Sequence, residues 1–219
     1  MNKTTSTIFE SFEDICKKNP TASFLISPSR GANDLKEISY KDTLEKANGI
    51  ANIFLDKQYG SNIRVATLLG STPEHYIIKL ALNKIGISVV PINPDYAPDE
   101  TSYLLEDSGA TMAICSEVFL SQLETAIELK SLPVPIVTYE EIDSLPRSQC
   151  VPRQVRIEGS TEASLLYTSG TTGRPKGCML SHEYELMCGD VYANIGAPIG
   201  LSFGPVSYTH LTLPTKRIV

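Results

Sequence analysis

The chain has 219 residues, of which 42% are hydrophobic, with a formal net charge of −6 and a pI of about 5.1. That length holds one large domain or two small ones around a substantial core. The acidic balance argues against a general nucleic-acid binder, which needs a basic surface to release counterions, but permits a locally positive phosphate site.

Residues 1–16 carry Glu10, Glu13 and Asp14 and no long apolar core, so they do not read as a signal peptide. Ile8, Phe9, Phe12 and Cys16 recur at helical spacing and predict an amphipathic helix. A short strand is expected over 23–26. Ser39, with Asp42 three residues on, reads as an N-cap, and Leu44, Ala47, Ala51, Phe54 and Leu55 mark the buried face of the helix it starts. Residues 63–69 form a strand with hardly a polar position. Thr72-Pro73 opens a helix, since proline fits the first helical turn; Tyr76, Ile77, Leu80 and Ala81 face its core, and Gly86 stops it. A strand over 87–92, a helix over 98–107 closed by Ser108-Gly109, and a strand over 111–115 follow. A helix over 118–129, a strand over 134–138, a polar loop over 144–159 and a fifth strand over 163–167 complete the series.

Apolar strands alternating with helices predict an α/β fold, a mostly parallel sheet flanked by helices on both faces. Ligands on such sheets bind beyond the carboxyl ends of the strands. Residues 191–215 contain no Asp, Glu, Lys or Arg, yet Gly196, Pro198, Gly200, Gly204 and Pro205 break the run and exclude a transmembrane helix. The five cysteines (Cys16, Cys115, Cys150, Cys178 and Cys188) form no CxxC pair and no zinc spacing, which fits a reducing compartment.

The fifth strand runs straight into Tyr167-Thr168-Ser169-Gly170-Thr171-Thr172-Gly173-Arg174-Pro175-Lys176-Gly177. Glycines let backbone N–H groups approach an anion, hydroxyls donate further hydrogen bonds, and a lysine adds positive charge. It is not a Walker A loop, because Lys176 follows Pro175 and precedes Gly177. It is not a dinucleotide fingerprint either, since Gly170-Thr171-Thr172-Gly173 has the wrong spacing. His75 reads as a surface residue, Cys178 and Cys188 as small buried side chains, and Asn93-Pro94-Asp95 as a turn. Tyr167 suits either a pocket wall or the core. His182 reads as a packing or capping residue beside a following helix.

This stretch, with Leu180-Ser181-His182 after it, closely resembles the signature of the AMP-forming adenylating enzymes. That superfamily includes acyl-CoA synthetases, adenylation domains of nonribosomal peptide synthetases and firefly-type luciferases. The run from Ile38 to Leu44 resembles the family's early helix start. Pro73-Glu74, Lys84-Ile85-Gly86, Val90-Pro91-Ile92-Asn93-Pro94, Glu100 and Tyr103 resemble its second block. The overall pattern is most like an acyl-CoA synthetase.

The resemblance implies the large N-terminal domain of the adenylate-forming fold. It implies ATP, Mg²⁺ and CoA as cofactors or co-substrates, a small carboxylic acid as substrate, and a cytoplasmic location. Thr168, Ser169, Thr171 and Thr172 would donate hydroxyls to the ATP phosphates, and Gly170 and Gly173 would offer backbone N–H groups. Lys176 would act catalytically by offsetting charge on departing pyrophosphate. A magnesium-holding glutamate block, a ribose-binding T-G-D block and a C-terminal lysine, all expected of the family, do not occur in these residues. The chain is therefore expected to be an inactive fragment: an incomplete AMP-binding domain over 1–204, followed over 205–219 by a tail resembling translated sequencing adapter. A peptide-synthetase adenylation domain and a non-catalytic nucleotide-binding module are the alternatives.

Overall fold

The computed structural model describes residues 6–28, 35–145, 155–168 and 174–194. Thr7 caps helix α1 (Ile8–Lys18) in a full capping box with Glu10, and Phe9, Phe12 and Cys16 are its buried stripe. Strands β1 (Ser23–Pro28) and β2 (Leu35–Ser39) pair antiparallel as a separate hairpin. Ser39 caps α2 (Tyr40–Asp56), its Oγ accepting the Asp42 N–H at 3.0 Å, as its spacing predicts.

The main sheet starts with β3 (Arg64–Leu68), followed by α3 (Pro73–Lys84), β4 (Ser88–Pro91), α4 (Pro98–Ser108) and β5 (Met112–Cys115). A 3₁₀ turn over Glu117–Phe119 then breaks what periodicity suggested was one helix, and α5 is shorter, Leu120–Glu128. β6 (Ile136–Thr138) leads into α6 (Tyr139–Ser144), a helix the sequence reading missed, made by a Thr138–Glu141 capping box. β7 (Glu162–Thr168), β8 (Lys176–Ser181) and α7 (His182–Asn194) close the series.

The six strands lie in the order β6-β5-β3-β4-β7-β8, parallel throughout except for the last pair, so the mostly parallel α/β sheet is as expected. Pleating divides each strand between two cores. Val65, Val89, Met112 and Ile114 pack with residues of α1, α2 and α3 on one face. Ala66, Leu68, Val90, Ala113, Cys115 and Leu165 pack with Leu104, Leu105 and Leu123 on the other. Strands buried on both sides need such cover, which is why their sequences lack polar alternation.

Glycines end two crossover helices. Gly86 (φ +76°) and Gly109 (φ +63°) sit in the left-handed region after α3 and α4. At the amino-terminal edge of the sheet, Arg64 Nε and Nη2 donate to the two Glu162 oxygens, both at 2.8 Å, and Ser88 Oγ donates to the same carboxylate at 2.6 Å. These bonds to Arg64 hold the Glu162 carboxyl below its usual pKa against partial desolvation.

Candidate functional site

Parallel strands place their carboxyl ends on one edge, and there the segments after β3 and β4 and the end of β7 enclose a cleft of about 680 Å³. Thr67, His75, Tyr76, Asn93, Tyr96 and Tyr167 line it. The Thr67 hydroxyl is buried, with no hydrogen-bond partner among the described residues. Asn93 Oδ1 accepts the Asp95 N–H at 3.1 Å, so Asn93-Pro94-Asp95 is the expected turn.

His75 is not the surface residue its neighbours suggested. It is half-buried in the cleft wall, and burial, helped by Lys79, lowers its pKa to about 4, so it is neutral at physiological pH.

The glycine-rich stretch joins β7 to β8 and so begins at this edge. β8 turns back antiparallel along β7, so the stretch closes a hairpin rather than opening a helix. Thr168 and Lys176 are both exposed and lie directly opposite one another as the last rung of the ladder. Ser169, Gly170, Thr171, Thr172 and Gly173 lie outside the described residues, as does the tail over 205–219.

Gly177 pairs with Tyr167, and a Cβ at Gly177 would come within 3.3 Å of the Tyr167 ring. The bare glycine thus leaves room for that ring, a close approach that a side chain would contest. Tyr167 is half-buried, and its hydroxyl donates to Asp107 Oδ2 at 2.7 Å. Burial first, and that hydrogen bond second, push its pKa well above the usual value, so the phenol stays protonated. On the outgoing stem, the Tyr103 hydroxyl lies 3.1 Å from the Pro175 carbonyl oxygen and 3.3 Å from Asp107 Oδ1. The Arg174 guanidinium lies 5.1 Å from the centroid of the Tyr103 ring.

Beyond the hairpin, His182 is fully buried at the start of α7. Its Nδ1 accepts the Ile8 N–H at 3.4 Å and its backbone N–H donates to Thr161 at 3.1 Å, so it packs and ties elements together, as expected. The Lys79–Glu185 ion pair, 2.9 Å, docks α7 on α3.

The cysteines depart from expectation. Cys178 is exposed on β8, an edge strand of the sheet, and Cys188 is half-buried on α7. Cys16, Cys115, Cys178 and Cys188 are all free thiols.

Sequence reasoning singled out Thr168 and Lys176 but passed over Asp107, and it noted Tyr103 only as part of a block. Its one available signal was the four-residue spacing of the two on a helix, which places them on one face.

Gramicidin S synthase 2 of Brevibacillus brevis is 32% identical over 183 residues, 83% of this chain but 4% of that protein. The dimodular nonribosomal peptide synthase of Bacillus subtilis is 29% identical over 147 residues, 67% of this chain and 6% of that protein. The chain thus spans a small part of the curated relatives it matches. Among solved structures, the Mycobacterium tuberculosis fatty acyl CoA synthetase superposes with a TM-score of 0.68 at 23% identity, over 80% of this chain and 34% of that one. No helix among the described residues is long and apolar enough to cross a membrane. The AMP-binding enzyme family matches residues 12–206, the two cores and the hairpin included, and the chain belongs to that family, with the sheet of its N-terminal domain.

Proposed function

We propose that this chain provides the phosphate-holding hairpin of an ATP-dependent, AMP-forming ligase. The ligase activates a carboxylic acid as its acyl-adenylate and passes the acyl group to a thiol. The observation that carries this reading is the placement of the family's signature. It springs from the carboxyl end of a parallel strand, beside a cleft, with Thr168 and Lys176 facing each other at its base.

In this reading Thr168, Ser169, Thr171 and Thr172 donate hydroxyls to the β- and γ-phosphates, and Gly170 and Gly173 donate backbone N–H groups. Lys176 meets the charge that builds as pyrophosphate leaves. Positioning plus positive charge is most of what catalysis of phosphoryl-type transfer needs. Mg²⁺ would neutralise the triphosphate. Among the described residues no group of three His, Cys, Asp or Glu is arranged to hold a metal, so no ligand is assigned to it in this chain.

Two acceptors fit. CoA is the acceptor in the acyl-CoA synthetase pattern, and the likeness in fold to the fatty acyl CoA synthetase agrees with it. The phosphopantetheine arm of a carrier protein is favoured by the identity to peptide synthetases. A full-length ligase that carries this chain should exchange labelled pyrophosphate into ATP only when its acid is supplied. Added CoA or a phosphopantetheinylated carrier should then discharge the adenylate, and the faster of the two names the acceptor. Exchange with no acid of a broad panel would leave a nucleotide-binding module without ligase chemistry.

A further inference from the structure

We propose that Tyr103 and Asp107 act together as a clasp that fixes the two stems of the glycine hairpin, and so raises its affinity for a phosphate-bearing anion. The inference rests on the nucleotide reading above, but its residues lie on a different element and outside the signature.

The two side chains are four residues apart on α4, hence on one face. Asp107 takes the incoming stem through the Tyr167 hydroxyl at 2.7 Å. Tyr103 takes the outgoing stem through the Pro175 carbonyl at 3.1 Å and the Arg174 guanidinium over its ring. The Tyr103 hydroxyl has one proton, shared between Pro175 and Asp107, so the two halves of the clasp are linked. Among the described residues the β7–β8 ladder ties the two stems to each other as far as Thr168 and Lys176, whereas these side-chain bonds tie both stems to α4.

The clasp is mounted on a rigid support. Leu104 and Leu105 are each 1% exposed in the second core, Pro98 starts the helix and left-handed Gly109 ends it. A binding loop held at both stems by a packed helix loses less freedom when an anion docks. Taken as plain surface contacts, the same bonds would do little, because Asp107 is exposed. The two views differ in what they predict: a clasp governs anion affinity and the motion of the stems, whereas a surface contact governs neither.

The test uses the full chain, with MgATP and inorganic tripolyphosphate as probes in calorimetry and amide hydrogen exchange at Tyr167, Thr168 and Gly177. Asp107→Ala and Tyr103→Phe should each weaken both probes by about tenfold, the effect of one lost hydrogen bond to a charged or positioned group. They should also speed stem exchange while leaving exchange of the β3 and β5 amides unchanged. Asp107→Asn keeps an acceptor for Tyr167 and should recover most of the affinity. Tyr167→Phe combined with Asp107→Ala should be no worse than Asp107→Ala alone, since Asp107→Ala already removes the Tyr167 bond. A wild-type chain that binds neither probe overturns the nucleotide reading, and this role with it. A wild-type chain that binds, with affinity or stem exchange unchanged in Asp107→Ala and Tyr103→Phe, overturns the clasp alone.

Discussion

His182 shows how one buried residue couples acid to the fold. It is fully buried, and desolvation lowers its pKa from 6.5 to about 4, with Lys79 assisting and Glu185 and Glu10 opposing. The folded chain therefore disfavours the imidazolium that the unfolded chain accepts. The stability that follows is complete above about pH 6.5 and is lost as pH falls toward 4. At about 1.4 kcal/mol per unit, the loss is on the order of 3 kcal/mol. Urea midpoints measured from pH 7 to 4 should fall along this window, and His182→Asn should flatten part of the slope. An unchanged slope in the variant would show that the neutral imidazole is not what acid attacks. The sequence revealed the residues that carry an unusual local pattern, Thr168 and Lys176 among them. It could not reveal Asp107, whose partner Tyr167 lies 60 positions away and whose own surroundings look like any exposed helix surface.

At the scale of elements, Gly86 is the most constrained turn. Its φ is +76°, and a Cβ there would sit 2.7 Å from Ile157 Cδ1 and 2.9 Å from Ser61 Cβ. Gly86→Ala should cost about 2 kcal/mol or more, from left-handed strain and overlap together. Gly189→Ala, inside α7 with nothing within 4 Å, should instead stabilise by up to about 1 kcal/mol. Chemical denaturation of both variants separates the two cases, and equal effects would contradict the assignment. Elements with a strong pattern were legible: α1 from its apolar stripe, α2 from Ser39, β3 to β5 from their mostly apolar runs. β8 was not, because Lys176-Gly177-Cys178-Met179 is exposed throughout and has no buried face to impose alternation. Its strand character comes from pairing with β7, a tertiary cause. α6 escaped notice because six residues are too short for a helical period to show.

At the scale of the whole molecule, several of the exposed large apolar side chains among the described residues belong to two neighbouring elements. Met179 (66% exposed), Met187 (54%), Val191 (53%) and Tyr192 (55%) belong to β8 and α7, and β8 is also an edge of the sheet. An exposed edge beside an apolar surface favours association. The chain should bind ANS there, and Met179→Lys with Met187→Lys should cut the fluorescence by about half; undiminished fluorescence would place the dye elsewhere.

The central claim, that the hairpin at the carboxyl edge holds the phosphates of ATP during adenylation, is tested most directly by acid-dependent exchange of labelled pyrophosphate into ATP. The assay compares a full-length ligase that carries this chain with its Lys176→Ala variant. Lys176 should matter more as pyrophosphate departs than in the ground state, so the exchange rate should fall by about 10²–10³ with little change in the KM for the acid. Transfer to the thiol from preformed acyl-adenylate should proceed at the wild-type rate, since no pyrophosphate leaves in that step. Exchange that survives Lys176→Ala at full rate, or a transfer step impaired as severely as adenylation, would contradict the account.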